Sequence, residues 1–394
     1  MKVYSGNGLG DMYFALVREI ARSGKEIPTR HGPCLELDEP VCLRYETPGH
    51  CWMTIPGRGF NPFFALAEVI WILSGSGDVE WISYFNSKMR MFSDGSANFH
   101  GAYGLRMRAW PSSIGEYLSL DQIGLAINKL RKDPFSRQAV VSLWDPMRDN
   151  LVKSKDYPCN NILYFRLRDG VLDQTVIQRS CDLVWGAPHN AVQFSHVHAY
   201  VAGALGAKIG KFHYFIQNLH YYLDLYKPTL AKLITQAFDE PEMRWPTVKA
   251  EVVPGFGPVT GEEFEEVSAS VNRMMSSLSQ KIRYSKSQAR SDYWGYLIPK
   301  MLWIYRMVKS DPIEMAPRLS EYILELPQPL RDLALMYYED KTYGIAKEVH
   351  STCVRMLHEE EEKSRTSPQA QEEESLNRGG DSIPSKAPDS PGGA

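Results

Sequence analysis

The side chains best suited to chemistry are concentrated between residues 157 and 190. Cys159 follows a proline in a polar turn, and Arg179 comes twenty residues later, at the far end of a predicted hairpin. A cysteine becomes a nucleophile when neighbouring positive charge lowers the pKa of its thiol, and Arg179 is the candidate source of that charge. The alternative is a small buried apolar side chain, which is the interpretation that we favour for Cys181.

Three arginines beside predicted turns could form a phosphate site together with the hydroxyl of Ser180. Arg30, Arg137 and Arg179 carry guanidinium groups, whose geometry matches phosphate oxygens. The alternative for any one of them alone is a surface salt bridge. Asn190 offers a carbonyl acceptor beside an amide donor, which complements the N–H and C=O edge of uracil. The alternative for Asn190 is a helix cap or a turn residue.

A carboxyl group is predicted inside an apolar helix. Asn61 and Pro62 are typical of a helix start, and the body of this helix runs from Phe63 to Leu73. Glu68 lies within it, with apolar residues on nearly every side. A buried carboxylate is unfavourable unless it is paired or protonated. We therefore expect Glu68 either to form an ion pair with a nearby arginine or to handle protons in a cleft.

The elements that must position these residues alternate between helices and strands. Asp169 and Gly170 give the strongest hairpin signal, between strands predicted at 162–168 and 171–177. Residues 119–122 match a capping box, which predicts a helix start there. The other predictions are a helix over 12–23 capped by Asp11, turn-rich strands over 34–54, a loop-rich stretch over 81–110, a strand over 139–144, a helix over 188–205 and a strand over 212–217.

The length and composition indicate that the chain has three parts. Its 394 residues are 43% hydrophobic, which allows a large core. Further helices are predicted over 261–283, 292–309 and 330–357, followed by a stretch rich in Glu, Ser, Pro and Gly. We therefore predict a catalytic domain over 1–247, a helical C-terminal extension over 248–358 and a disordered acidic tail over 359–394. The extension could be a partner-binding module or a lid.

Charge and cysteine usage argue against several classes. The net charge is −3 and the tail carries nine acidic and four basic residues, so the remainder is about +2 and offers no broad basic field for nucleic acid. Six cysteines without paired metal spacing favour free thiols in a reducing compartment. Because no segment matches a signal peptide or a membrane span, we expect a cytoplasmic protein. His196 and His198 would point apart on a helix, so no metal site is predicted.

The order of these motifs resembles the thymidylate synthase family, which includes phage and bacterial pyrimidine-nucleotide hydroxymethylases. The resemblance extends from about residue 12 to 225 and is most specific in the run Gln178-Arg179-Ser180-Cys181-Asp182, with Pro158-Cys159 upstream. The other matching segments are Thr29 to Gly32, the helix of Glu68, Tyr103 to Trp110, Asp133 to Arg137, Gly186 to Asn190 and His220 to Tyr222.

The resemblance implies an α/β fold of the α+β type, with a mixed sheet and packed helices, and an obligate homodimer. It also implies a pyrimidine nucleoside 5′-monophosphate substrate and 5,10-methylenetetrahydrofolate as one-carbon donor. The implied catalytic residues are Cys159, which adds to C6 of the base, Glu68, which handles protons through ordered water, Tyr103, which lines the base pocket, and Asn190, which reads the base edge. The implied binding residues are Arg30, Arg179 and Ser180 for the phosphate, Arg137 from the other subunit, Gln178 for the substrate, His220 and Tyr222 for the sugar 3′-hydroxyl, and Asp182 for the folate pterin.

Several positions depart from the synthase pattern. Asn160 replaces the usual histidine after the cysteine, Gln138 replaces an arginine, and His189 replaces an aromatic apolar residue. Met89 and Phe92 stand where the synthases carry tryptophans that pack on folate and shield the methylene intermediate. A less shielded and more polar pocket favours water over hydride as the group that completes the reaction. We therefore expect a dUMP hydroxymethylase.

Three alternatives stay open at this point. They are a true thymidylate synthase, a hydroxymethylase acting on dCMP or CMP, and a non-catalytic protein that binds a nucleotide or RNA. Asn190 favours uracil because cytosine-acting relatives tend to carry an acid there, although a flipped amide could pair with cytosine. The joint presence of Cys159, Glu68 and Arg179 argues against the non-catalytic alternative.

Overall fold

The computed structural model describes residues 1–53, 60–111 and 119–226, several positions between 231 and 237, and residues 294, 297–310, 322, 323 and 325–340. The predicted helix over 261–283, the predicted domain boundary at 247 and the predicted tail lie outside these described residues. Within them, no helix is both long and apolar enough to cross a membrane.

A six-stranded mixed sheet forms the centre of the molecule. Its order is β1 (Lys2–Gly6), β4 (Val41–Tyr45), β11 (Lys208–Ile216), β9 (Val171–Gln178), β8 (Asn160–Arg168) and β7 (Val140–Ser142). β8 and β9 form the predicted hairpin, and Asp169 and Gly170 adopt the positive φ angles of 49° and 72° that its tight turn requires. β9 and β11 run parallel, whereas β4 and β11 run antiparallel. The predicted mixed sheet is therefore confirmed.

A second sheet lies at the end of the molecule where the chemically suited residues collect. Its order is β10 (Cys181–Asp182), β12 (Leu219–Tyr222), β3 (Gly32–Glu36) and β2 (Lys25–Thr29). The register pairs Asp182 with His220 and Tyr222 with Cys34. A short ribbon of β5 (Trp110–Pro111) and β6 (Ser119–Leu120) completes the described strands.

Two buried helices pack against each other beside the central sheet. α2 (Pro62–Leu73) begins at Asn61, whose side chain accepts a hydrogen bond of 3.0 Å from Phe64 N, so the predicted cap is confirmed. Every residue of α2 is buried, and α7 (Gly186–Leu205) is buried along most of its length. The other described helices of this part are α1 (Leu9–Ser23), α3 (Val79–Phe85), a 3-10 helix (Ser87–Phe92), α4 (Tyr103–Arg108), α5 (Gln122–Lys132) and α6 (Pro146–Leu151).

Three local predictions are wrong. The stretch over 81–110 is largely helical instead of loop-rich, because Asp78 and Asn86 cap two short helices, of which α3 packs on α2 and the 3-10 helix packs on α3. The capping box does not form: Asp121, not Ser119, caps α5, and its carboxylate accepts from Gly124 N at 2.9 Å. α1 begins at Leu9 after Gly8, which leaves Asp11 in the first turn instead of at the cap.

The described C-terminal helices belong to the same hydrophobic core as α2. They are α8 (Ile298–Ser310) and α9 (Gln328–Asp340). The ring of Phe63 lies 5.4 Å from the rings of both Tyr305 and Tyr337, and Tyr305 Oη donates to Phe85 O at 2.9 Å. Trp294 packs edge-on against His196 of α7 at 5.5 Å. The extension therefore supports the helices that carry Glu68 and Asn190.

Candidate active site

The β8–β9 hairpin brings Cys159 and Arg179 together. Asn160, the first residue of β8, pairs with Gln178, the last residue of β9, so the residues before and after them lie side by side. Arg179 N donates to Cys159 O at 2.9 Å, and Arg179 Nη2 lies 3.7 Å from Cys159 Sγ. The same guanidinium donates to Pro158 O and Tyr157 O, at 3.0 and 3.2 Å, and so holds the turn of the cysteine.

Opposing effects act on the pKa of the Cys159 thiol, whereas the sequence indicated only the lowering by Arg179. Burial raises the pKa of Cys159, whereas the charge of Arg179 lowers it. Asp156 and Asp182 also raise this pKa, and Arg30 lowers it. The net pKa is raised, so Arg179 opposes the effect of burial without overcoming it. The thiol is therefore protonated in the free protein, and its proton must leave as it attacks.

A polar cluster surrounds the cysteine at the end of the second sheet. His220 is 7% exposed, and its ring lies 5.2 Å from that of Tyr222. The charges of Cys159 and Arg30 both act on the Tyr222 hydroxyl, whose pKa is raised mainly by burial. Arg30 Nη2 reaches Lys155 O at 3.4 Å. Together with half-buried Ser180, these residues could surround a phosphorylated sugar.

Asp182 is half-buried and held by protein donors. Its Oδ1 accepts from Val184 N at 2.8 Å, and its Oδ2 accepts from Tyr226 Oη at 2.5 Å. Burial raises the pKa of Asp182, and Tyr226 and the charge of His220 oppose that rise. Tyr226 was not identified from the sequence, because it comes forty-four residues after its partner.

Asn190 lies inside α7, so the helix-cap and turn interpretation is wrong. It is 8% exposed, and its side chain hydrogen-bonds to the sulfur of Cys181, as does that of Gln178. Cys181 is itself 1% exposed, as expected for a small buried side chain. The amide of Asn190 is thus anchored on one side and has remaining hydrogen-bonding capacity on the other.

Glu68 is a buried acid without an ion pair among the described residues. It is 9% exposed on α2, and Gln193 of α7 is the hydrogen-bond partner of its carboxyl group. Burial raises its pKa to about 8, and the hydrogen bond from Gln193 only partly opposes this. No arginine pairs with Glu68 within the described part of the chain, and the arrangement there favours the other interpretation, a proton-handling group. Gln193 was not identified from the sequence.

Tyr103 lies at the start of α4, which approaches α2 closely. A Cβ atom on the next residue, Gly104, would lie 2.4 Å from Ser76 O, so only glycine fits there. The Tyr103 hydroxyl accepts a hydrogen bond of 2.9 Å from the side chain of Asn160, the residue after Cys159. The charge of Cys159 also raises the pKa of Tyr103, after the larger effect of burial.

The structure does not bring every predicted residue into this cluster. Arg137 is exposed in the loop before β7, the edge strand of the central sheet. Met89 and Phe92 lie on the 3-10 helix, half-buried against the core. Trp185 is similarly half-buried, 5.3 Å from the ring of Tyr226, and Lys88 lies over it at 4.4 Å. Trp185 was not identified from the sequence, although it lies only three residues after the Gln178 to Asp182 run.

A buried ionic network supports the turn of Cys159. Arg106 is 1% exposed and donates to both carboxylate oxygens of Asp149, at 2.6 and 2.7 Å. His100 also contacts Asp149, at 2.9 Å, and its ring packs edge-on against Tyr157 at 5.7 Å. Through Tyr157, this network contacts the turn that carries Cys159.

We expect Arg106→Met to destabilise the protein by about 3–5 kcal/mol, because it leaves the buried Asp149 carboxylate without its compensating charge. Urea unfolding measures the change in the free energy of unfolding. Arg166→Met is the matched control, since the Arg166 side chain is 65% exposed in its pair with Asp173 and should cost less than about 1 kcal/mol. Equal effects of the two substitutions would contradict the assigned role of Arg106.

A thiol beside a guanidinium is an arrangement typical of enzymes that attack their substrates through sulfur. A family model described as thymidylate synthase matches residues 11–265. The chain belongs to the thymidylate synthase family and is a one-carbon transferase. The resemblance and the fold predicted from the sequence are thereby confirmed.

Three relatives illustrate the similarity. A deoxyuridylate hydroxymethyltransferase of Bacillus phage SP01 is 33% identical over 300 residues, which cover 75% of this chain and 74% of the relative. A protein of the same description from Pseudomonas phage M6 is 36% identical over 224 residues, covering 56% of this chain and 62% of the relative. A thymidylate synthase of Corynebacterium aurimucosum is 28% identical over 182 residues, or 45% and 66% of the two chains.

Proposed function

We propose that the protein transfers a one-carbon unit from 5,10-methylenetetrahydrofolate to C5 of dUMP and releases 5-hydroxymethyl-dUMP. The observation that carries this proposal is the contact of 3.7 Å between Arg179 and the sulfur of Cys159. The relatives from phages SP01 and M6, both described as deoxyuridylate hydroxymethyltransferases, support the hydroxymethyl product.

The proposed reaction begins with a bond between Cys159 Sγ and C6 of uracil. The electron pair of the C5=C6 bond moves toward the C4 oxygen, and C5 becomes a carbon nucleophile. 5,10-Methylenetetrahydrofolate supplies the carbon that C5 attacks. Loss of the C5 proton and of tetrahydrofolate leaves an exocyclic methylene, water adds to it, and Cys159 departs. One water is consumed, tetrahydrofolate is released and nothing is oxidised.

The proposed roles of the side chains follow from their charge and burial. Arg30, Arg179 and Ser180 would bind the phosphate, and Gln178 would support the base-binding amide through their shared partner Cys181. His220 and Tyr222 would bind the sugar 3′-hydroxyl. Glu68 holds its proton at neutral pH because its pKa is about 8, so it can give a proton to ordered water or to the substrate.

The residues around Asp182 suit a flat aromatic co-substrate. Met89, Phe92 and Trp185 present half-buried apolar surface. Asp182 Oδ1 already accepts from Val184 N and Trp185 N, but Oδ2 accepts only from Tyr226 and has capacity for a further hydrogen bond from a pterin N–H. We propose that these residues hold the folate. Because Met89 and Phe92 shield less than tryptophans, water can reach the methylene intermediate.

We propose that the enzyme is a homodimer. Arg137 is exposed, and the same face carries the apolar side chains of Val140, Tyr164 and Ile177, which are 41, 39 and 37% exposed. A second copy on this face would cover them and would bring Arg137 toward the partner's phosphate site. Sedimentation velocity should therefore give a dimer at micromolar concentration, and a monomer would contradict the proposal. The proposed thiol nucleophile also suits the reducing cytoplasm.

Mass spectrometry of the product tests the proposed function. The protein is incubated with 5,10-methylenetetrahydrofolate and, separately, with dUMP, dCMP and CMP. A hydroxymethyl mass shift on dUMP with tetrahydrofolate released unoxidised supports the proposal. A methyl shift with dihydrofolate in equal amount would make the protein a thymidylate synthase, and a product on dCMP or CMP would change its substrate. No product from any nucleotide would favour the non-catalytic alternative.

A further inference from the structure

Two buried residues, Tyr214 and Asn160, and half-buried Tyr103 form a directional chain of hydrogen bonds next to Cys159. Tyr214 Oη, on β11, lies 2.6 Å from Asn160 Oδ1. Asn160 then donates twice to Tyr103 Oη, from its side-chain Nδ2 at 2.9 Å and from its backbone N at 3.3 Å. Tyr214 and Asn160 are each 0% exposed.

The direction of this chain is fixed by Tyr214. A buried hydroxyl is nearly always hydrogen-bonded, and among the described residues the Tyr214 hydroxyl finds its partner in Asn160 Oδ1. The Tyr214 proton must therefore point to an acceptor, which requires the carbonyl end of the Asn160 amide to face Tyr214. The amino end then has to face Tyr103, as observed.

The orientation of the Asn160 amide determines where the Tyr103 hydroxyl can direct its proton. A phenol oxygen has one proton and two lone pairs. Asn160 occupies both lone pairs of Tyr103 Oη, one of them through a backbone N–H that cannot change its role. The oxygen can therefore take no further proton, and its own proton is available only to an acceptor in the half-buried space beside Cys159.

We infer that Tyr214 is a positioning residue that orients the Asn160 amide and thereby makes Tyr103 an obligate hydrogen-bond donor to the nucleotide. This inference rests on the proposed function and deepens it. The acceptor is the C4 oxygen, which gains negative charge when Cys159 adds to C6. Tyr103 stabilises that charge.

A double-mutant cycle with Tyr103→Phe and Tyr214→Phe tests the inference. Without Tyr214 the amide of Asn160 can flip, and its carbonyl then accepts the Tyr103 proton in competition with the substrate. We expect Tyr214→Phe to lower kcat by about tenfold, with KM for dUMP changed less than about twofold. The double variant should be no slower than Tyr103→Phe alone, because Tyr214 acts only through Tyr103.

Two further variants separate positioning from a general structural effect. Tyr45→Phe removes another buried hydroxyl, one that has no hydrogen bond within the described residues, and should leave kcat unchanged. Asn160→Asp keeps the shape and keeps Tyr214, but its carboxylate attracts the Tyr103 proton, so kcat should fall as far as in Tyr103→Phe. If Tyr214→Phe does not fold, the kcat of Asn160→Asp still tests whether the orientation of the Asn160 amide makes Tyr103 a donor.

The outcomes are distinct. The inference would be overturned, while the proposed function stands, if the fold losses in kcat of Tyr103→Phe and Tyr214→Phe multiply in the double variant. It would also be overturned if Asn160→Asp is as active as the wild type. A wild-type protein that forms no product from dUMP would overturn the proposed function, and the inference with it.

Discussion

Cys159→Ser is expected to lower kcat with dUMP by about 10⁴-fold or more, as removal of a covalent nucleophile generally does. A serine hydroxyl has no ionised form near neutral pH, and the side chain that contacts this position within the described residues, Arg179, only donates hydrogen bonds. Binding of dUMP, measured by calorimetry, should change less than about threefold, because the proposed phosphate and base contacts remain.

Cys42→Ser is the matched control for this substitution. Cys42 is 4% exposed in β4 and pairs with Phe215 of β11, so the same atom is exchanged in a buried strand away from the Arg179 turn. Its kcat should stay close to that of the wild type. If Cys159→Ser keeps measurable turnover like the control, the covalent mechanism is wrong.

The contact between Cys159 and Arg179 was predictable because the signals behind it are local. A two-residue turn at Asp169 and Gly170 fixes the register of β8 against β9. That register brings Cys159 to the residues after Gln178 at the open end of the hairpin, and the register shift between Asn160 and Ile162 places Arg179 beside it. The cap at Asn61 and the extent of α2 follow from equally local chemistry.

Contacts between distant segments were not predictable in the same way. The sequence left open whether Glu68 meets an arginine or handles protons, and it did not identify Gln193 as its partner, because the packing of α2 on α7 decides which side chain it reaches. Asn160 stood out only as a departure from the family pattern, and its bonds to Tyr214 and Tyr103 span more than fifty residues in each direction.

The short helices over 79–108 illustrate a second limit. α3, the 3-10 helix and α4 have only six or seven residues each, too few to be stable alone. They form because they pack on other elements: α3 and α4 pack on α2, the 3-10 helix packs on α3, and the ring of Phe85 lies 5.3 Å from that of Tyr305 of α8. A pattern read within the segment could not include a partner more than two hundred residues away.

Glu68→Gln is expected to lower kcat by about 10²–10³-fold, the usual effect of losing a group that transfers protons. The amide keeps the size of the side chain and can still accept a hydrogen bond from Gln193, so the position of α2 should not change. In the wild type, the fraction of Glu68 that carries a proton falls as the pH rises through about 8. The pH–rate profile of kcat/KM should therefore fall above that pH in the wild type, and this step should be absent in the variant.

The same substitution has a second effect, on stability, whose sign follows from the raised pKa. The folded pKa of about 8 exceeds the unfolded value of 4.5, so between these values the folded protein binds more protons than the unfolded chain. Glu68 therefore lowers the free energy of unfolding by about 1.4 kcal/mol per pH unit across that interval. Its contribution is most favourable below pH 4.5 and is lost as the pH rises through 8.

Urea unfolding at pH 6 and pH 8 should show Glu68→Gln gaining stability relative to the wild type at the higher pH, because the neutral amide has no such proton to hold. Glu26→Gln, at an exposed position of β2, is the control and should follow the wild type at both values. If Glu68→Gln also follows the wild type, then the buried carboxyl titrates normally and cannot hold its proton at neutral pH. The loss of kcat would then have to come from hydrogen bonding alone, so the two measurements together separate a proton carrier from a structural acid.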